Sequence, residues 1–132
     1  MIKILLSLFL IMYTNFSFSQ SQSEMNKNEN IAYQKAEKEI NTVYQKILIK
    51  YKEDKAFIEN LRISQRLWIQ FRDAEVNMKF PNNTPGYYGS IYPMCVSNYL
   101  TQLTRERTKT LKIWLIGIEE GDACAGSVKT KE

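Results

Sequence analysis

The chain has 132 residues, 44% hydrophobic and 24% charged, with a formal charge of +4, which fits one ordinary globular domain. It contains no His, and this excludes a His-based triad, a His metal site and an imidazole proton shuttle. Five Gly and three Pro are too few for a loop-rich β-sandwich. Acidic and basic residues alternate, as at Lys35, Glu37, Lys38 and Glu39, so no basic stripe is visible and no nucleic-acid partner is expected.

The chain opens as a secretory leader does. Lys3 supplies the positive start, and residues 4–12 (ILLSLFLIM) are apolar apart from Ser7. Ser17 and Ser19 then place small residues at the −3 and −1 positions of a cut before Gln20. The expected domains are a signal peptide at 1–19, a helical domain at 20–118 and a polar, loose tail at 119–132. The expected location is secreted or periplasmic. A membrane span needs about 20 apolar residues, and no later segment approaches that length.

Ser21 and Glu24 have the spacing of a capping box, which predicts a helix start. Ala36, Ile40, Val43, Tyr44, Ile47 and Tyr51 recur at steps of three and four, so one helix covers roughly 24–51. Asp54 is placed to cap a second helix, on which Phe57, Leu61, Trp68, Phe71 and Met78 continue the stripe until Pro81. Residues 81–90 (PNNTPGYYGS) read as the one substantial loop. A third helix is predicted from near Ser90, with Pro93 in its first turn. Its face carries Val96, Leu100, Leu103, Arg107, Leu111 and Trp114 as far as Gly117. The predicted fold is all-α: a small antiparallel bundle of three main helices in a single domain.

These segments resemble a known family. Glu24, Met25 and Asn26, followed by Tyr33, Glu37, Ile40, Asn41 and Tyr44, are similar to the opening of the LprI-type lysozyme-inhibitor domain. Gln65, Trp68, Phe71, Arg72 and Asp73 resemble its second signature. Gly89, Ser90, Ile91 and Pro93, then Leu103, Thr104, Arg107 and Leu111, resemble its third. The likeness covers about 24–112. It implies a protein that binds and blocks a lysozyme-type muramidase. It also implies cysteines at the positions held here by Asn28, Glu75 and Tyr99. The last two lie at the end of the second helix and near the start of the third, and are replaced together, as when a bridge is lost as a unit.

Cys95 and Cys124 are the only cysteines, and a secreted chain with two Cys invites a disulfide. A third helix running from Cys95 to Gly117 would measure about 33 Å, whereas seven extended residues reach back only about 25 Å. The bridge closes only if that helix is short or bent; pairing between two chains is the other outlet.

Two clusters are candidates for binding. Gln65, Trp68, Arg72 and Glu75 share one helix face, with Arg107 near enough to join them. They form either an aromatic-centred patch that grips a partner or a half-buried network in which Arg72 is satisfied by carboxylates. The in-phase position of Trp68 favours the network; Asn41, Tyr44, Gln65, Trp68, Arg72, Asp73, Thr104 and Arg107, the residues that carry the family resemblance, are accordingly expected to be structural. The loop is the better partner-binding candidate: Tyr87, Tyr88, Tyr92 and Asn83 lie among Gly and Ser, a composition that offers large contact area with adaptable backbone. The alternative is that these tyrosines fold back over the end of the bundle.

No catalytic or metal site is expected, and no cofactor. Asp73 and Glu75, two apart on a helix, point to different faces, and Cys95 has no His to activate it. The functional expectation is a non-enzymatic secreted protein that blocks a muramidase. The rival is a cell-envelope interaction or scaffold module that inhibits nothing.

Overall fold

The computed structural model describes the backbone of residues 2–131 and the side chains of residues 21–131. Three helices follow in order: α1 (Ile2–Lys50), α2 (Lys55–Lys79) and α3 (Tyr92–Ile116). The leader expected at residues 1–19 lies outside the residues whose side chains are described. The predicted helix start at Ser21 is not one. No Gly or Pro lies near Ser21 to break α1 there, and Gln22 is a buried mid-helix residue that donates to Asn26 Oδ1 at 3.0 Å.

Asp54 caps α2 as expected, its carboxylate accepting from the Phe57 N–H at 2.9 Å. Tyr51, Lys52, Glu53 and Asp54 make the tight joint, where the Asp54 N–H returns to the Tyr51 carbonyl. α2 ends at Phe80, whose N–H reaches the Val76 carbonyl, because Pro81 follows and restricts the residue before it. Pro93 sits in the first turn of α3, where its missing N–H costs nothing.

The bundle runs up, down, up. Asn26 of α1 donates to the Ser90 carbonyl just before α3, and Lys50 at the other end of α1 donates to the Leu115 carbonyl; α1 and α3 are therefore parallel, with α2 antiparallel to both. The core consists of Ile40, Val43, Ile47, Tyr51, Leu61 and Leu111, with Phe57, Trp68 and Trp114 packed against it. On α1 the predicted stripe is the buried one. On α3 Leu111 is buried as expected, but the rest of the buried face is Thr101, Thr104 and Thr108 in place of Leu100 and Leu103. The threonines are small enough to let the α1 backbone approach closely, and α2 stands further off. Phe71 and Met78, expected in the core, are 54% and 67% exposed; they lie on the flank of α2 beside the Leu61 and Trp68 face, turned about 60–100° away from it.

The tail is not loose. Gly117 ends α3 at φ +82°, and the chain turns back so that Ile118 pairs with Thr130 in a single parallel bridge. Trp114 Nε1 donates to Ser127 Oγ at 3.0 Å, and the Lys129 N–H donates to the Tyr51 hydroxyl at 3.2 Å. Lys129 Nζ lies 4.8 Å over the Tyr51 ring, and Lys131 pairs with Glu119.

Cys95 and Cys124 are both free. Cys95 lies in the first turn of an uninterrupted α3 and Cys124 beyond its far end, so about 30 Å of helix separates their levels. Among the described residues, no helix is long and apolar enough to cross a membrane.

Candidate functional site: the loop end of the bundle

The loop between α2 and α3 is built on an aromatic platform. Phe80 meets Tyr88 and Tyr92 edge-on, with centroids 5.5 and 5.4 Å away. Tyr88 and Tyr92 stack at 5.1 Å with 17° between their planes. Such offset and edge contacts are the favoured arrangements of aromatic rings. The Tyr88 hydroxyl accepts from the Asn82 N–H at 3.0 Å, and Asn82 Oδ1 accepts from the Thr84 N–H at 2.8 Å. Successive turns follow, with Tyr87 N–H to the Thr84 carbonyl and Gly89 N–H to the Gly86 carbonyl. Gly86 and Gly89 take φ of +78° and +71°, which side-chain-bearing residues adopt only under strain.

The predicted binding residues separate on this frame. Tyr88 and Tyr92 are half-buried, and they fold over the end of the bundle. Tyr87 packs edge-on against Tyr88 at 4.9 Å but remains 64% exposed, and Asn83 is exposed beside it. Residues 82–89 and Tyr92 surround a shallow concavity of about 300 Å³. Phe80, the hub of the platform, escaped the sequence reading; an aromatic directly before Pro81 was its only signal.

The second cluster is a network joining the helices. Arg72 Nη1 donates to Glu37 Oε1 of α1 at 2.6 Å, and Arg72 Nε donates to Asp73 at 3.1 Å. The guanidinium lies 5.3 Å from the Trp68 ring centre, in the range of a cation–π contact. Burial pushes the Tyr33 phenol up; Arg72 opposes this and Glu37 adds to it. Arg107 donates to Gln65 Oε1 and to Ser64 Oγ at 3.2 and 2.8 Å, and burial pulls its guanidinium down from the usual value. Tyr44 packs against the core, Asn41 is exposed, and Thr104 is fully buried with no partner for its hydroxyl among the described residues. Arg72 and Arg107 therefore spend their donors inside the bundle. Among the described residues no three Cys, Asp or Glu gather as a metal site requires.

The residues of this network and of the loop lie inside a single family match: the profile of the lysozyme inhibitor LprI family covers residues 16–111. The chain belongs to the LprI family. It is also similar to an uncharacterised protein of Rhizobium meliloti (strain 1021), 32% identical over 91 residues, covering 61% of this chain and 63% of the relative. The chain thus spans somewhat under two thirds of that relative's length. No solved structure matches it. Within the LprI match, α1 contributes Glu37, α2 contributes Trp68 and Arg72, and α3 contributes Thr104 and Arg107, so the family's signatures meet where the three helices pack.

Proposed function

We propose that this chain is an exported, non-enzymatic inhibitor that binds a lysozyme-type muramidase with the loop end of its bundle and obstructs the substrate cleft. The observation that carries this reading is Tyr87, exposed on a platform that Phe80, Tyr88 and Tyr92 hold rigid. A pre-ordered aromatic gives large contact area at low entropic cost. Membership of the LprI family supports the partner class, and the leader-type composition of residues 1–19 supports export to a secreted or periplasmic location.

The net charge of +4 gives no electrostatic steering toward a basic muramidase. Association therefore rests on aromatic contact, and added salt, which screens the like-charge repulsion, should not weaken it. The test is a cell-wall clearing assay against a panel of muramidases. Saturable protection is expected, weakened more than tenfold by Tyr87→Ala (about 1.4 kcal/mol or more) with unchanged melting temperature. No protection across the panel, from protein shown to be helical, would overturn the reading and leave an envelope interaction module in its place.

A further inference from the structure

The outer face of α2 carries two features that neither the core nor the loop end uses. Ile63, Leu67, Phe71, Ala74 and Met78 follow at steps of four, four, three and four, which places them in one stripe. All five are exposed, including Leu67 at 58%. Beside the first half of that stripe, Lys52, Lys55, Arg62 and Arg66 ring a concavity of about 610 Å³ floored by Ile58 and Ile63, with Glu59 the one acid in its lining. Lys52 reaches Glu53 at 3.8 Å. Lys55, Arg62 and Arg66 enter no ion pair among the described residues. The alternation of charge along the chain concealed this grouping, because the helix turns Lys55, Arg62 and Arg66 to one side.

We infer that this face of α2 docks on an anionic phospholipid surface, the stripe entering the acyl boundary while Lys55, Arg62 and Arg66 meet headgroup phosphates. An apolar stripe with a cationic shoulder is what an interfacial helix needs: buried area for binding and positive charge for acidic lipid. Other occupants fit less well. Nucleic acid would use the cations but not Phe71 and Met78. A basic muramidase would be repelled by the same cations.

The experiment is co-sedimentation of the full chain with vesicles of phosphatidylcholine alone or mixed with phosphatidylglycerol. It is read as the ratio of the two partition coefficients, at lipid concentrations where neutral vesicles bind less than half of the protein. Residues 4–12 are uncharged and contribute equally to both terms, and Lys3 adds the same anionic preference to every variant, so it cancels when variants are compared. The ratio should exceed ten and fall with salt. Arg62→Glu combined with Arg66→Glu should bring it near one, since each cation near an acidic surface contributes about fivefold. Leu67→Ser with Phe71→Ser should weaken binding to the anionic vesicles while helicity by circular dichroism is unchanged; Arg62→Gln repeats the charge test with a milder change. Equal partition into both vesicles, or a ratio indifferent to the arginines, would overturn the inference. So would light scattering that shows a dimer broken by Leu67→Ser.

Discussion

Tyr99 of α3 donates its hydroxyl to Glu75 Oε2 of α2 at 3.0 Å. These are two of the three positions at which the LprI resemblance implies cysteines, the pair replaced together. Where a covalent staple is implied, this chain places a charge-assisted hydrogen bond that spans the same helices. The bond also pushes the Tyr99 phenol above its ordinary value.

That shift has a sign. A raised folded-state value stabilises the protein fully below the unfolded tyrosine value and ceases to do so as pH rises through the folded one. Wild type should therefore lose melting temperature above pH ~10, and Tyr99→Phe should start lower and fall less across that window. Thermal circular dichroism at stepped alkaline pH checks both; parallel curves for the two proteins would contradict the contact.

Thr104 is 0% exposed and its hydroxyl has no partner among the described residues. A buried hydroxyl left unsatisfied costs about 1–3 kcal/mol. Thr104→Val keeps the branched shape and removes the polar atom, so it should stabilise the protein by about 1 kcal/mol. Urea unfolding measures it, and a loss of stability would mean the hydroxyl is satisfied in solution.

Arg72, 12% exposed, holds Glu37, which is 33% exposed, and covers the Trp68 ring. Arg72→Ala leaves the carboxylate without its partner. The expected cost is about 2–4 kcal/mol, toward the low end of what breaking a buried pair costs because Glu37 keeps some contact with water. Glu37→Gln, which keeps a hydrogen-bond acceptor, should cost less. Urea midpoints followed by tryptophan fluorescence rank the two variants, and the reverse order would refute this account of the network.

Gly117 has φ +82°, and a Cβ there would lie 2.8 Å from the Lys129 carbonyl oxygen. Gly117→Ala should cost about 1–3 kcal/mol from backbone conformation alone, and should free the tail, which limited proteolysis after residue 118 would register. Acid should loosen the same segment. The Lys131 ammonium holds Glu119 below the usual carboxylate value, so this contribution is complete above the unfolded value and disappears as pH falls through the depressed one. Tail cleavage by an acid-active protease should rise below pH ~4 in wild type and be nearly flat in Glu119→Gln.

The helices were legible because their signals are local. The Asp54 cap, the stop at Phe80 before Pro81, Pro93 and the α1 stripe each depend on neighbours within a turn or two. What escaped depends on partners far along the chain. Phe71 and Met78 have the right spacing for a core, but α2 turns the Leu61 and Trp68 side inward and leaves them outside. Thr101, Thr104 and Thr108 read as polar, yet their small size is what the close α1–α3 contact requires. The tail reads as loose from composition, and its docking rests on Tyr51, 78 residues before Lys129. At the loop, residue types marked the place, while the division between exposed Tyr87 and half-buried Tyr88 and Tyr92 depends on Phe80.

The three threonines of α3 also set an order of disassembly. They draw two of the helices into a spine that includes most of the buried side chains, and leave the remaining helix attached more sparsely, by a short apolar row of Phe57, Ile58, Leu61 and Trp68 and by the polar pairs Arg107 with Ser64 and Gln65, Arg72 with Glu37, and Glu75 with Tyr99. Attachments of that kind can be released one after another. Amide hydrogens of residues 55–79 should therefore exchange well before those of residues 36–50 and 101–115, with the molecule opening along one side like a hinged case while its spine stays folded.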